Sequence, residues 1–270
     1  MANMTEEKKD GLRISGNTSD DMDNERDVAI ALREKLGQVE YHHITPEVIE
    51  ENQKLVPKDM ILAAGMPNSF GMVHTKFMSS FIGMIQGAPW LKHIIWADQG
   101  PLHSMRNNLV MSAMEKGATH ILMVDTDMVL PPFLIAGLAR HKQPVVSALC
   151  FKRYPPYSPT LYMGEPKELF VMTKWPEGLV KVTATGCAAM LIDLAVFANL
   201  DFPWFEFKED DDGKHIGEDI QFCYRCREKE IPVFVDTTIE CAHIAQVDVN
   251  AVFYEVINRV LTINMEHKAP

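Results

Sequence analysis

His120-Ile121-Leu122-Met123-Val124-Asp125-Thr126-Asp127-Met128 decides how the rest of the chain is read. A run of apolar residues stops abruptly at two carboxylates one residue apart. The run reads as a buried strand. Two like charges held together in an apolar setting are costly. The cost is relieved at the carboxyl end of a strand, in the crevice where α/β proteins bind ligands. A divalent cation there turns the repulsion into coordination. Taken alone, the triplet reads more readily as a solvated strand end, since short motifs match by chance. Its neighbours have to decide.

On the N-terminal side, Met60-Ile61-Leu62-Ala63-Ala64 reads as a first strand broken by Gly65-Met66-Pro67-Asn68. A helix follows with Val73, Phe77, Phe81, Ile82 and Ile85 on one face. His93-Ile94-Ile95-Trp96 reads as a second strand. Beyond the turn Asp98-Gln99-Gly100-Pro101, helical spacing runs through Leu102, Met105, Leu109, Ala113 and Met114 to Gly117. After the aspartates, Pro131-Pro132 opens a helix to His141, and Pro144 to Leu149 is a fourth strand. This alternation predicts an α/β fold with a mostly parallel central sheet, right-handed crossovers and flanking helices.

The second half has a different texture. Tyr154-Pro155-Pro156-Tyr157-Ser158-Pro159 is a rigid loop. Short strand-like pieces fall near Leu161, Leu169 to Thr173 and Leu179 to Ala184. Thr185 to Met190 is a small-residue segment leading into Leu191-Ile192, where glycine and alanine permit close approach. Asp193 is placed to cap a helix to Leu200. Gly217-Glu218-Asp219 opens a helix through Arg227. Pro232 to Val235 is a late strand, and Cys241-Ala242-His243-Ile244 follows it.

The outer segments are less informative. Residues 1–24 are polar and read as a disordered tail. Residues 25–57 read as an accessory helical arm, with a modestly amphipathic helix over 27–38. The α/β domain spans 58–245, and residues 246–270 read as a C-terminal amphipathic helix. A net charge of −11 argues against a general polyanion binder. No apolar run reaches about 18 residues, so no membrane span is predicted. The charged N-terminus lacks a signal-peptide core, and the five cysteines read as reduced thiols, which together predict a cytoplasmic protein.

Four landmarks occur in a fixed order: Asp125-Thr126-Asp127 after the third strand, Gly186-Cys187-Ala188-Ala189-Met190, Glu218-Asp219 at a helix start, and His243 after a late strand. In this order the chain resembles the GT-A fold glycosyltransferases, and is similar to their family-2-like branch, over about residues 58–245. The fold divides into a Rossmann-like nucleotide-binding half and an acceptor-side half. The resemblance implies transfer of a sugar, hexosyl or pentosyl, from a nucleoside-diphosphate sugar such as a UDP-sugar, with Mn2+ or Mg2+.

Carried over residue by residue, the resemblance makes Asp127 a direct metal ligand and His243 a further one. Asp125 contacts the ribose or the metal through water. Asp219 is the general base for an acceptor hydroxyl, and Glu218 orients the acceptor or tunes its neighbour. Arg106 faces the nucleotide or its diphosphate. Lys152 and Arg153, after the fourth strand, reach the edge of the site. Pro67 and Asn68 form part of the nucleotide pocket, and Asp98 is placed for base or ribose recognition. Gly186 lies beside the donor sugar. Trp204 and Phe205 either stack on an acceptor ring or pack in the core.

Other readings stand beside this one. Glu218 and Asp219 also serve as first-turn acids that complement a helix dipole. Cys223-x-x-Cys226 with Cys241-x-His243 has the ligand count of a zinc site. A nucleotidyltransferase also uses strand-end aspartates, although no glycine-rich triphosphate loop follows the first strand. A non-catalytic nucleotide-sugar-binding module would keep the fold alone. The acceptor is a saccharide, a protein, a lipid-linked carrier or a modified DNA base.

Overall fold

The chain separates into two units, Met1–Tyr41 with Gln246–Pro270, and His42–Ala245. A computed structural model describes residues 46–256 except 70, 167, 211, 212, 214, 247–249 and 254. The expected tail over 1–24, the helix over 27–38 and most of the C-terminal helix lie outside the described residues. Among the described residues, no helix is long and apolar enough to cross a membrane.

The first half alternates as its sequence pattern requires. In chain order it forms α1 (Pro46–Leu55), β1 (Leu62–Pro67), α2 (Thr75–Gln86), β2 (Leu91–Ala97), α3 (Leu102–Glu115), β3 (His120–Val124), β4 (Met128–Val129), α4 (Leu134–Ala139) and β5 (Val145–Cys150). The second half forms β6 (Tyr162–Met163), β7 (Phe170–Val171), β8 (Leu179–Val182), β9 (Ala189–Asp193), a 3-10 turn over Leu194–Asn199, β10 (Lys208–Glu209), β11 (His215–Ile216), α5 (Glu218–Glu228) and β12 (Val233–His243). Asp193 caps the 3-10 turn by accepting from Ala195 N at 2.9 Å.

The central sheet has the order β2-β1-β3-β9-β5-β12, with β4 and β8 both pairing β12. β1 runs parallel to β2 and β3, and β5 runs parallel to β12. β9 lies between β3 and β5, antiparallel to both. The sheet is therefore mostly parallel, as expected, but β3 and β5 are not neighbours. The strand between them comes from Ala189 to Asp193, whose first residues look like a loop in sequence.

Alternating side chains sort the core into two layers. Leu62, Ala64, Leu122, Val124, Val146 and Leu191 face α2 and α4. Ala63, Ile121, Met123, Val145, Met190 and Ile192 face α3, the 3-10 turn and α5. β1 does not break at Gly65 but continues through Pro67. A Cβ at Gly65 would lie 3.0 Å from Ile121 Cδ1 and 3.3 Å from Leu109 Cβ, so glycine sets the close packing of α3 on the sheet. Ile82 and Met114, expected on buried faces, are instead exposed.

β12 changes partners halfway along. Val233–Asp236 pair with β8 on one side and β5 on the other, and Ala242 and His243 pair with β4. A register shift between Asp236 and Glu240 bends the strand between these two regimes. Asp236, fully buried in that bulge, accepts from Arg140 Nη2 at 2.8 Å and Thr238 N at 2.9 Å, and its Oδ2 lies 2.6 Å from His141 Nε2. Burial raises its carboxyl, but the bonds from Thr238, His141 and Arg140 outweigh burial and hold it below the ordinary value.

Asp236→Asn should cost about 3 kcal/mol in urea unfolding at neutral pH, because it uncouples a buried charge from its partners. A depressed native carboxyl stabilises fully above the unfolded value, near about 3.9, and its contribution is lost as pH falls through the native value. The difference between wild type and Asp236→Asn should therefore shrink as pH falls below that range.

Candidate active site at the carboxyl ends of the strands

β3 ends at Val124 and the chain turns at once. Asp125 N donates to Ala188 O at 3.1 Å, and Met128 N donates to Asp125 O at 3.3 Å. The turn brings Met128 against His243, and Ile244 N donates to Asp127 O at 2.7 Å. The two aspartates now diverge. Asp125 Oδ1 accepts from Arg106 Nη2 at 2.9 Å. Asp127 Oδ2 accepts from Arg153 Nη1 at 2.8 Å and lies 3.0 Å from His243 Nε2.

Arg106, on α3, is only 2% exposed. Its Nε donates to Glu218 Oε1 at 3.0 Å, and its Nη1 faces Cys187 O at 3.4 Å. Each guanidinium nitrogen thus has a protein acceptor. The arginine expected to face a diphosphate is instead a buried tie joining α3, the end of β3 and the first turn of α5. A buried charge needs such partners.

Glu218 is also buried, at 4% exposure, and its carboxylate is held by Arg106. Of its two expected roles, the geometry fits tuning its neighbour rather than touching an acceptor. Asp219 is partly exposed. Its Oδ1 accepts from Ile220 N at 2.8 Å. A Cβ at Gly217 would come within 2.8 Å of Asp219 Oδ1, and one at Gly186 within 3.5 Å of Oδ2. Glycine at both positions leaves room around the carboxylate. Burial first, and then the charge of Glu218, push the Asp219 carboxyl up to about 6, against the pull of Arg106. A carboxylate in this range suits general-base work near neutral pH.

His243 is fixed at its other ring nitrogen, since Nδ1 lies 2.8 Å from Phe151 O. A carbonyl accepts only, so Nδ1 carries the proton. Among the described residues, Nε2 has no well-aligned hydrogen-bond partner. Burial lowers the His243 pKa, but Asp127 and the Phe151 carbonyl outweigh it and leave it raised. Burial likewise raises Asp127, and the closeness of His243 and Arg153 reverses this to leave it low.

An imidazole with one nitrogen tied to a carbonyl and the other facing a carboxylate is the arrangement that orients histidine toward a metal. Among the described residues, no three His, Cys, Asp or Glu side chains group to hold an ion. Asp125, expected as a third contact, belongs to Arg106. Asp127 and His243 are left as the two candidate ligands, their Oδ2 and Nε2 3.0 Å apart at the strand ends.

The remaining expected residues are spread along the same strand ends. Pro67 closes β1 beside Ala97, and Asn68 N donates to Ala97 O at 2.7 Å. Asp98 follows β2 and is exposed. Lys152 is exposed, with Nζ 5.5 Å from the Tyr162 ring centroid. Gly186 is buried beside Asp219. Phe205 is fully buried and stacks on Phe222 at 4.7 Å, so it packs in the core and does not meet an acceptor. Trp204 Nε1 donates to Phe197 O at 3.1 Å, which ties it to the same cluster. The zinc reading fails on topology. Cys241 lies in the core layer of α2 and α4, whereas Cys223 and Cys226 lie in the opposite layer.

Sequence reading missed Asn107. It is buried, its Nδ2 donates to Phe205 O at 2.8 Å, and its Oδ1 accepts from Trp204 N and Phe205 N at 3.1 Å. Asparagine inside a helix disfavours the helix, and that was the available signal. Replacing the adjacent tie should be severe. Arg106→Met should lower stability by about 3–5 kcal/mol, because Glu218 would be left buried and unpaired. Pairing it with Glu218→Gln should recover part of that loss in a double-mutant cycle read by chemical denaturation.

No protein-family model matches the sequence, and no curated protein matches it. Solved structures do match. The A197 protein from STIV superposes with TM-score 0.50 at 14% identity, covering 70% of this chain and 87% of that one. GalNAc-T7, solved with UDP, GalNAc and Mn2+, superposes with TM-score 0.51 at 10% identity, covering 71% of this chain and 45% of that one. S. aureus TarS 1-349, in complex with UDP-GlcNAc, gives TM-score 0.44 at 13% identity, covering 76% of this chain and 66% of that one. At such identities the likeness is one of fold, carried by the first two. That fold is the GT-A fold the sequence resembles.

Proposed function

We propose that the chain is a metal-dependent glycosyltransferase, moving a sugar from a nucleoside-diphosphate sugar, with UDP as the nucleotide, to a hydroxyl acceptor. The observation that carries this reading is the pairing of Asp127 with His243 at the strand ends, on the same sheet edge as a raised Asp219 carboxyl. The GT-A fold supports it. The GalNAc-T7 structure holds a nucleotide and a divalent ion together, which agrees with a metal-assisted donor site.

The residues divide the work. Pro67, Asn68 and Asp98, at the ends of β1 and β2, receive the nucleotide. Asp127 and His243 hold Mn2+ or Mg2+, which when bound supplies Lewis-acid stabilisation of negative charge on the departing diphosphate. Arg153, 48% exposed at its side chain and paired with Asp127, is free enough to turn toward the diphosphate, with Lys152 beside it. Asp125 is held by Arg106 and keeps the end of β3 in place. Gly186 leaves space for the sugar, and Asp219 takes the proton of the acceptor hydroxyl.

Incubation with a panel of nucleotide sugars and Mn2+ should release nucleoside diphosphate slowly even without acceptor. No release with any donor would sink the proposal, and pyrophosphate release from a nucleoside triphosphate would favour a nucleotidyltransferase instead. Asp219→Asn should lower transfer by about 10²–10⁴-fold with donor binding retained. In the wild type, kcat/KM should fall about tenfold per pH unit below pH about 6, as Asp219 takes up its proton. Mn2+ affinity, read by calorimetry, should weaken from near-neutral pH downward, because the raised His243 binds a proton that the ion must displace. His243→Ala should flatten that dependence.

A further inference from the structure

β2 is the edge of the central sheet. Among the described residues it pairs with β1 alone, and its far side is left open. Asn68 N donates to Ala97 O at 2.7 Å, so Ala97, Ile95 and His93 turn their backbone groups toward β1. Alternation leaves the N–H and C=O of Ile94 and Trp96 pointing outward. An unpaired edge is a template for another strand, and proteins guard it with charge, proline or short length. β2 is seven residues long, and from His93 to Ala97 it carries no proline and no Lys, Arg, Asp or Glu.

The side chains on this edge are apolar where a surface strand is ordinarily polar. Ile94 is 46% exposed and Trp96 41% exposed. They pair laterally with Ala64 and Met66 of β1, so they share the sheet face that α2 and α4 cover further in. Their exposure leaves that face open at β2. On the other face, α3 packs against β1 and β2, and its Met111 and Met114 are each 37% exposed. Single exposed apolar side chains are ordinary, but an apolar rim on both faces of an unpaired strand marks an interaction surface.

The strand is complementary to itself. Its register with β1 is continuous from His93 to Ala97 and shifts before His93, so the regular part is symmetric about Ile95. Two copies laid antiparallel about Ile95 set Ile94 opposite the partner's Trp96, and Trp96 opposite the partner's Ile94. Each is an aromatic side chain against a β-branched one. The outward backbone groups of these residues then exchange about four hydrogen bonds. The same register sets Lys92 opposite the partner's Asp98, and both residues are exposed. The order Lys92, Ile94, Trp96, Asp98 thus matches its own reverse in charge and in shape, as an isologous two-fold contact needs.

We infer that the open edge of β2 is a homodimer surface, at which two copies of the chain join antiparallel about Ile95 into one continuous sheet. The inference rests on the edge strand and does not depend on the transferase reading. A stable interface buries about 1,200 Å² or more in total, and Met111 and Met114 extend the apolar contact past the ribbon itself. Asp98 follows β2 at the rim of the strand-end crevice, so the dimer also brings the partner's Lys92 to that rim.

Sedimentation of the full chain over about 1–100 μM tests it. The mass should rise with concentration from the 30.5 kDa of one chain to twice that. Ile94→Lys should keep the chain monomeric, since a lysine on the edge blocks strand addition. Trp96→Thr serves as a second variant of the same face, and each is checked for folding by circular dichroism. Lys92→Glu, facing the partner's Asp98, should weaken association by about tenfold or more, and adding Asp98→Lys should restore it. That rescue separates this register from any other packing of the same patch. A wild type that stays at the mass of one chain throughout, with its edge bare or covered by another part of the chain, would overturn the proposal. So would a dimer that persists in both Ile94→Lys and Trp96→Thr, one indifferent to Lys92→Glu, or a Lys92→Glu loss that Asp98→Lys does not repair.

Discussion

Two carboxylates one residue apart at the end of a buried strand must be kept from repelling each other, and this chain does so by giving each its own cation. Asp125 goes inward to Arg106, and Asp127 goes outward to Arg153 and His243. The inward pair is deep, with Arg106 at 2% exposure, and it extends to Glu218 on another element. The outward pair is at the surface, where Arg153 is free to exchange partners. One half of the motif thus holds the molecule together, and the other is open to a ligand.

The same tie sets the chemistry of Asp219. Glu218, fixed by Arg106, sits next to Asp219 and adds its charge to the effect of burial, which brings the carboxyl to about 6. Arg106 opposes this, so the arginine that steadies the acids also limits how far the base is raised. A second constraint comes from β12. Without its bulge at Asp236 the strand would keep one register with β5. With it, the strand bends, leaves β8 and brings His243 beside Met128 and Asp127. The buried Asp236 cluster therefore acts on the site through the path of a strand.

Much of this was legible in sequence, for reasons that can be named. β3 was read with its observed limits because its apolar run is closed by charges. The start of α5 was legible from its acids, and the alternation of the first half gave a mostly parallel sheet. β9, Ala-Met-Leu-Ile-Asp, was hidden because it is short and follows directly on the small-residue stretch Thr185–Ala188, which carries no strand signature. Arg106 was found but misjudged. Sequence shows a cation one turn into a helix, and only the packing shows that two acids from distant segments surround it. Phe205 shows the same limit, since its ring is equally suited to a sugar and to Phe222.

The most direct test of the central claim is the melting temperature of the chain with UDP, with Mn2+, and with both. The account predicts a rise with the two together that exceeds the sum of their separate effects, and its loss in Asp127→Ala, because a ligand that binds only the native state stabilises it by mass action. An unchanged melting temperature with every nucleoside diphosphate tried, with or without the ion, would contradict it.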